Sequence, residues 1–257
     1  MVFKDKEIID YISSRELPSG GFSDFPYEGP SLEDTYFALR SLQELGVDCI
    51  SSNTAAYLEK VPNAINLYLP RLYYHYAVLV KNYGLKIDLK EVGKSLKSFH
   101  HDTISELYYS YYFRKICFGQ GKISVKEQNA LKSKTPGKLK YIEEVEKYVL
   151  LMEELKMAYD KKKFIRWLQS AQSYDGSFGI IPDTTGFLEH TYVALRALAA
   201  LGVKLLEAEK CKRFVLSCLI GRGGFGRQST TVSNLEYTYY GVMSLKILNS
   251  WQLDSNE

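Results

Sequence analysis

The sequence predicts an all-α protein. Six helix hairpins, with inner and outer helices forming two nested helical barrels, are expected to run through residues 1–257 as a single domain. Three observations predict this. Three blocks of the chain align with one another without a gap, the spacing between them fits three further copies, and apolar residues recur within them at helical intervals.

The blocks run from Gly20 to Gly46, from Gly176 to Gly202 and from Gly223 to Asn249. Each opens on Gly-(Gly/Ser)-Phe and reaches Leu-Glu-x-Thr-Tyr at one fixed offset: eleven residues separate Phe22 from Glu33, Phe178 from Glu189 and Phe225 from Glu236. Each therefore reads as a turn, a short loop and a helix. In the first, Leu32, Tyr36, Leu39 and Leu42 share a face, as a helix buried on one side requires. Gly46 and Gly202 stand where a helix stops. A preceding helix is expected at Ile8 to Ser14, Phe164 to Gln172 and Glu207 to Leu219.

Glu33 and Glu189 lie 156 residues apart, four steps of 39, so three divergent repeats are expected between them. Arg71 to Gly84 aligns with Glu106 to Gly119, and a third helix falls within Tyr141 to Tyr159. That makes six pairs, which bury both apolar faces in one continuous core if they close into a ring. Gln120 to Lys140, with its Lys-Ser-Lys-Thr-Pro-Gly, reads as a surface excursion holding a short helix near Val125 to Leu131.

Composition excludes several classes. Hydrophobic residues make up 46 % and charged residues 25 %, an ordinary globular balance. A net charge of +3 is too mild to point to nucleic acid. Cys49, Cys117, Cys211 and Cys218 form no C-x-x-C pair, so neither a zinc knuckle nor a disulfide framework is expected. No leader segment and no apolar run long enough to span a bilayer occurs, and a reduced, cytoplasmic protein is the expectation. The 21 tyrosines against 2 tryptophans point to a large surface that is apolar at the ring and polar at the hydroxyl.

Gly-Gly-Phe turns leading into Tyr-x-x-Leu-x-x-Leu helices resemble the repeats of protein farnesyl- and geranylgeranyltransferase β subunits, closely in three blocks and weakly in the middle. The resemblance implies an α/α toroid, a fold shared with squalene-type cyclases and thioester domains. The Asp-x-Asp-Asp of the former and the Gly-Cys-Gly-Glu-Gln of the latter are missing here. It also implies a helical α-subunit-like partner, and a zinc held by Asp-x-Cys at one inner helix start and His at the next. Here Gly-Gly-Phe-Gly-Arg, ending at Arg227, leads to Asn234 in the Asp position and Glu236 in the Cys position. Asp34 takes the His position in the block from Gly20 to Leu42, which includes Asp24 and Pro26. Oxygen donors suit Mg²⁺ better than Zn²⁺. The expected metal set is thus Asp34, Asn234 and Glu236 with His190 as the nitrogen ligand.

Glu33, Glu189 and Glu236, joined by Asp34, His190 and Tyr237, form the candidate catalytic level at the starts of the inner helices. Acids in a first helical turn also serve the helix dipole, by about 0.3–1 kcal/mol. Arg227, with Arg222 behind it, is the candidate phosphate contact, or else the two are solvated surface arginines. Tyr36, Tyr73, Tyr74, Tyr108 and Tyr109 are the candidate lining of an aromatic funnel for an isoprenoid tail, or else ordinary core. His100, His101 and the run Lys161 to Lys163 are assigned no role. Two functions are carried forward. One is binding of an isoprenoid diphosphate, with metal-assisted transfer or cyclisation; the other is a non-catalytic toroid that holds a partner protein or a lipid.

Overall fold

The computed structural model describes residues 2–25, 27–64, 69–93, 103–119, 121 and 123–253. Pro26, Gln120 and the His100-His101-Asp102 group lie outside them. Twelve helices occur among the described residues. They fall in two compact units, residues 1–124 and 125–257.

The first unit holds α1 (Val2–Ser13), α2 (Leu32–Glu44), α3 (Ser52–Ala64), α4 (Pro70–Asn82), α5 (Leu89–Val92) and α6 (Ile104–Phe118). The even-numbered helices pack side by side, α2 on α4 and α4 on α6, while α1 lies on α2 and α5 on α6. The Tyr76 hydroxyl donates to the Leu58 carbonyl at 2.9 Å, tying α4 to α3. The second unit repeats the scheme with α7 (Val125–Lys132), α8 (Ile142–Glu154), α9 (Lys161–Ser170), α10 (Leu188–Ala200), α11 (Ala208–Ser217) and α12 (Leu235–Leu253). There α8, α10 and α12 form the continuous row, flanked by α9 and α11. Every helix expected from the repeats is present within a few residues of its expected bounds.

The repeat motif has a physical explanation in one threonine. In each block the Thr of Leu-Glu-x-Thr-Tyr accepts the backbone N–H of the motif phenylalanine: Thr35 from Phe22 at 3.0 Å, Thr191 from Phe178 at 3.0 Å and Thr238 from Phe225 at 3.1 Å. Each also donates to the carbonyl four residues back, Ser31, Phe187 and Asn234, so helix start and turn are locked together. All three threonines are fully buried. The loops hide short antiparallel pairings that the sequence pattern did not announce, Phe178–Gly179 with Gly186–Phe187 and Leu219–Ile220 with Gly224–Phe225. A buried N–H left without its acceptor costs about 1–3 kcal/mol. Thr191→Val is therefore expected to lower unfolding stability by about that amount in urea titrations, and Thr191→Ser to lose much less.

In the first two blocks the opening glycine places the turn against the next flanking helix. Gly176 has φ +89°, and a Cβ there would come within 2.6 Å of the backbone at the start of α11. Gly20, at φ +85°, faces the backbone of Asn53 and Thr54 at the start of α3 in the same way. This is why the motif begins on glycine and not on another small residue.

Candidate functional site

In the first unit the expected tyrosines come together around a histidine. The Tyr36 ring stacks on the His75 imidazole, centroids 3.8 Å apart and nearly parallel. Tyr74 lies 5.7 Å from Tyr109 and 6.2 Å from Tyr112, and Tyr108 lies 4.7 Å from Tyr112. His75 also meets Tyr109 edge-on at 6.2 Å. Tyr36, His75 and Tyr108 are buried, whereas Tyr74, Tyr109 and Tyr112 keep partial exposure. Tyr73 is buried against Phe113 at 5.6 Å and serves the packing between α4 and α6. Consecutive tyrosines on one helix cannot share a face, and the structure sorts them accordingly.

His75 carries no assignment from the repeat alignment, yet it stands at the centre of this group. Burial, aided by the nearby Arg71 guanidinium, holds its pKa well below the usual value, so it is neutral at pH 7. Its buried Nδ1 has no hydrogen-bond partner. Arg71 opens the same helix and pairs with Glu33 at 2.6 Å, both side chains partly exposed. Asp34 accepts a long hydrogen bond from the Asp24 N–H at 3.4 Å, while its own N–H is capped by Ser31 at 2.9 Å.

In the second unit Glu189, His190 and Arg227 lie together. Arg227 Nε donates to Glu189 Oε1 at 2.6 Å, and its guanidinium lies 3.8 Å above the Phe187 ring. Its carbonyl accepts the Leu188 N–H at 3.2 Å. That N–H is one of the free donors at the start of α10, whose N-cap Phe187 has no capping side chain. Arg227 thus clamps one helix start to the next repeat at three points. Arg71 meets Glu33 through the ion pair alone, so in both places an acid at one helix start meets an arginine from the following repeat. Arg222 sits exposed in the turn between Leu219–Ile220 and Gly224–Phe225.

His190 Nε2 lies 3.6 Å from Glu143 and 3.9 Å from Glu189. Burial and the Arg227 charge pull its pKa down to about 4, so it is neutral at pH 7. Burial pushes the carboxyls of Glu143 and Glu189 up from their usual range. Glu143 escaped the repeat alignment because it comes from the divergent fourth repeat. Its only signal was its place in the first turn of the helix expected within Tyr141 to Tyr159.

Glu236 accepts a hydrogen bond from the Tyr240 hydroxyl at 2.7 Å, and Tyr240 stacks on Tyr192 at 5.2 Å. Burial, with Glu189 and Glu236 nearby, raises the Tyr237 phenol, and Arg227 opposes that shift. Asn234 Oδ1 caps α12 by accepting the Tyr237 N–H at 2.7 Å. Among the described residues no group of three or more His, Cys, Asp or Glu stands together as metal ligands would. Asn234 Oδ1 and Glu236 Oε1 each already accept a hydrogen bond within the protein, which a divalent ion at these residues would have to share. No helix among the described residues is long and apolar enough to cross a membrane.

The model of the prenyltransferase alpha-alpha toroid domain family matches residues 2–66 and 84–257. Among solved structures, the chain is similar to Candida albicans protein geranylgeranyltransferase-I complexed with GGPP, at 11 % identity and a TM-score of 0.46, over 96 % of this chain and 92 % of that one. The search of curated protein sequences returned no match.

Proposed function

Because the chain belongs to the prenyltransferase alpha-alpha toroid family, we propose that it binds an isoprenoid, with the aromatic group around His75 as the surface for the hydrocarbon tail. The observation that carries this reading is the partly exposed Tyr74, Tyr109 and Tyr112 laid over buried Tyr36, His75 and Tyr108. A centre filled only for packing is met by Leu and Ile, which leave no hydroxyls to satisfy. Aromatic faces instead offer an apolar wall that also tolerates positive charge, as a hydrocarbon tail and the allylic carbocation left when its diphosphate departs would require. Arg71, on the first turn of the helix that carries Tyr74 and paired with Glu33, and Lys115, 5.9 Å from the Tyr112 ring, are the cations of this unit offered for a diphosphate.

A divalent ion is a separate matter. Mg²⁺ is what an oxygen donor set takes, and ionisation of an allylic diphosphate is the chemistry it would assist. The binding proposed here rests on this chain's own side chains. The second reading, a toroid that holds a lipid or a partner protein without turnover, is favoured by one observation: Asn234, which takes the Asp position of the family's zinc set, is engaged as a helix cap.

Calorimetric titration with geranylgeranyl diphosphate, alone, with Mg²⁺ and with Zn²⁺, tests both. Micromolar binding without added metal, weakened about tenfold by Tyr74→Ala or Tyr109→Ala, is the expected result; tenfold corresponds to about 1.4 kcal/mol. Absence of binding in all three arms contradicts the isoprenoid reading.

A further inference from the structure

Away from the residues described so far, the second unit carries an open groove of about 510 Å³, lined by Thr135, Pro136 and Gly137 on one side and Lys163, Arg166, Trp167 and Ser170 of α9 on the other. The first wall is a built turn. The Lys138 and Leu139 N–H groups donate to the Thr135 carbonyl at 2.9 and 3.1 Å. Leu131 and Leu139, at its two ends, are buried. The second wall presents Lys163 and Arg166 to solvent, with the half-buried Trp167 between them and the floor. Phe164 and Leu168 point the other way into the core, which holds α9 in this orientation.

The charge of this surface is mostly positive; its nearest acid in sequence is Asp160, the exposed N-cap of α9, which accepts the Lys163 N–H at 3.2 Å. No acid occurs between Lys132 and Lys140 or between Lys161 and Ser170, and each stretch carries four cations. Lys161 is neutralised by Glu153 at 2.6 Å. Lys163 and Arg166 make no ion pair among the described residues. The two cations flank an indole and a proline, so the groove joins an apolar surface to positive charge in a chain whose net charge is only +3. Arginine and tryptophan at the centre of a groove are the residue types that anchor protein partners.

We propose that this groove docks an acidic segment of a partner protein, with an aromatic or large aliphatic side chain laid on Trp167 and carboxylates meeting Lys163 and Arg166. The geometry favours a protein segment over a membrane or nucleic acid. The groove is a single trough walled by a turn and one helix, whereas a membrane or a phosphate backbone is met by a flat or extended basic face.

Three synthetic twelve-residue peptides test it, identical in a central phenylalanine and differing only in acidic, neutral or basic flanks. Binding is read by fluorescence anisotropy at low salt, with phosphatidylserine vesicles and a single-stranded oligonucleotide as competitors. The acidic peptide is expected to bind at least tenfold tighter than the neutral one and to weaken severalfold at 0.3 M salt, on the order expected for exposed charges. Lys163→Glu with Arg166→Glu is expected to abolish this preference while leaving the thermal midpoint unchanged, since both side chains are exposed. Trp167→Ala is expected to weaken the acidic and neutral peptides alike. Equal binding of the three peptides, indifference to the charge reversal, or displacement by vesicles or oligonucleotide at lower concentration would overturn the proposal.

Discussion

Gly176→Ala is expected to cost the protein about 3–5 kcal/mol, a large loss for a single methyl group. Two effects add. The residue sits at φ +89°, a conformation that costs a side-chain-bearing residue about 1–3 kcal/mol. The new Cβ would also lie within 2.6 Å of backbone atoms of Lys210 and Cys211, and backbone cannot rotate away as a side chain can, so α11 must shift. Gly202 provides the control. It too has positive φ, +69°, but nothing lies within 4 Å of its added Cβ, so Gly202→Ala is expected to show the conformational cost alone. Thermal melts of the two variants separate the effects, at about 2–4 °C per kcal/mol for a chain of this size. Equal midpoints would mean that the close approach of turn and helix is not what the motif glycine is for.

The second large effect is the pH dependence carried by His190. Its pKa in the folded protein is about 4, against about 6.5 in the unfolded chain. Between those values the unfolded state binds the extra proton, so stability rises with pH from about 4 to about 6.5 and is level above. The full contribution approaches 3 kcal/mol by the same linkage, as an order of magnitude. Glu143 and Glu189, whose carboxyls are raised by burial, act in the opposite sense. They bind protons more readily folded than unfolded, so they favour the folded state as pH falls past their raised values. The comparison of wild type with His190→Gln removes most of that opposing part. The expected outcome is that wild type loses stability relative to the variant as pH drops from 6.5 to 4, in urea titrations at stepped pH. A constant difference across that range would show that His190 is accessible to protons in the folded state.

The helical pairs were legible because the glycine turns and the Leu-Glu-x-Thr-Tyr spacing repeat. Thr35, Thr191 and Thr238 show why that spacing is invariant within the chain: a shift of one residue breaks the bond to the phenylalanine N–H. The fourth repeat lacks this latch, and Glu143, which it contributes, was correspondingly missed. The site was legible in its residue types but not in its pairing. Glu189 belongs to the carboxylate level and Arg227 is the candidate phosphate contact, and the structure joins the two in an ion pair at 2.6 Å that the repeat alignment does not show. Arg71 opens one of the aligned segments, and its charge compensates Glu33. Such pairs join successive repeats, and a one-dimensional alignment places those residues about 39 apart. His75 has no role in the sequence reading because it lies away from the helix-start level that the clear repeats share, although its flanking tyrosines mark the helix face that buries it.

Photo-crosslinking with a benzophenone-bearing geranylgeranyl diphosphate analogue, read by mass spectrometry of the digested protein, tests the central claim most directly. The account predicts labelled peptides from α4 and α6, centred on Tyr74, Tyr109 and Tyr112, with labelling suppressed by unmodified geranylgeranyl diphosphate. Suppressible labelling confined to other helices, or labelling that the unmodified ligand does not suppress, would contradict it.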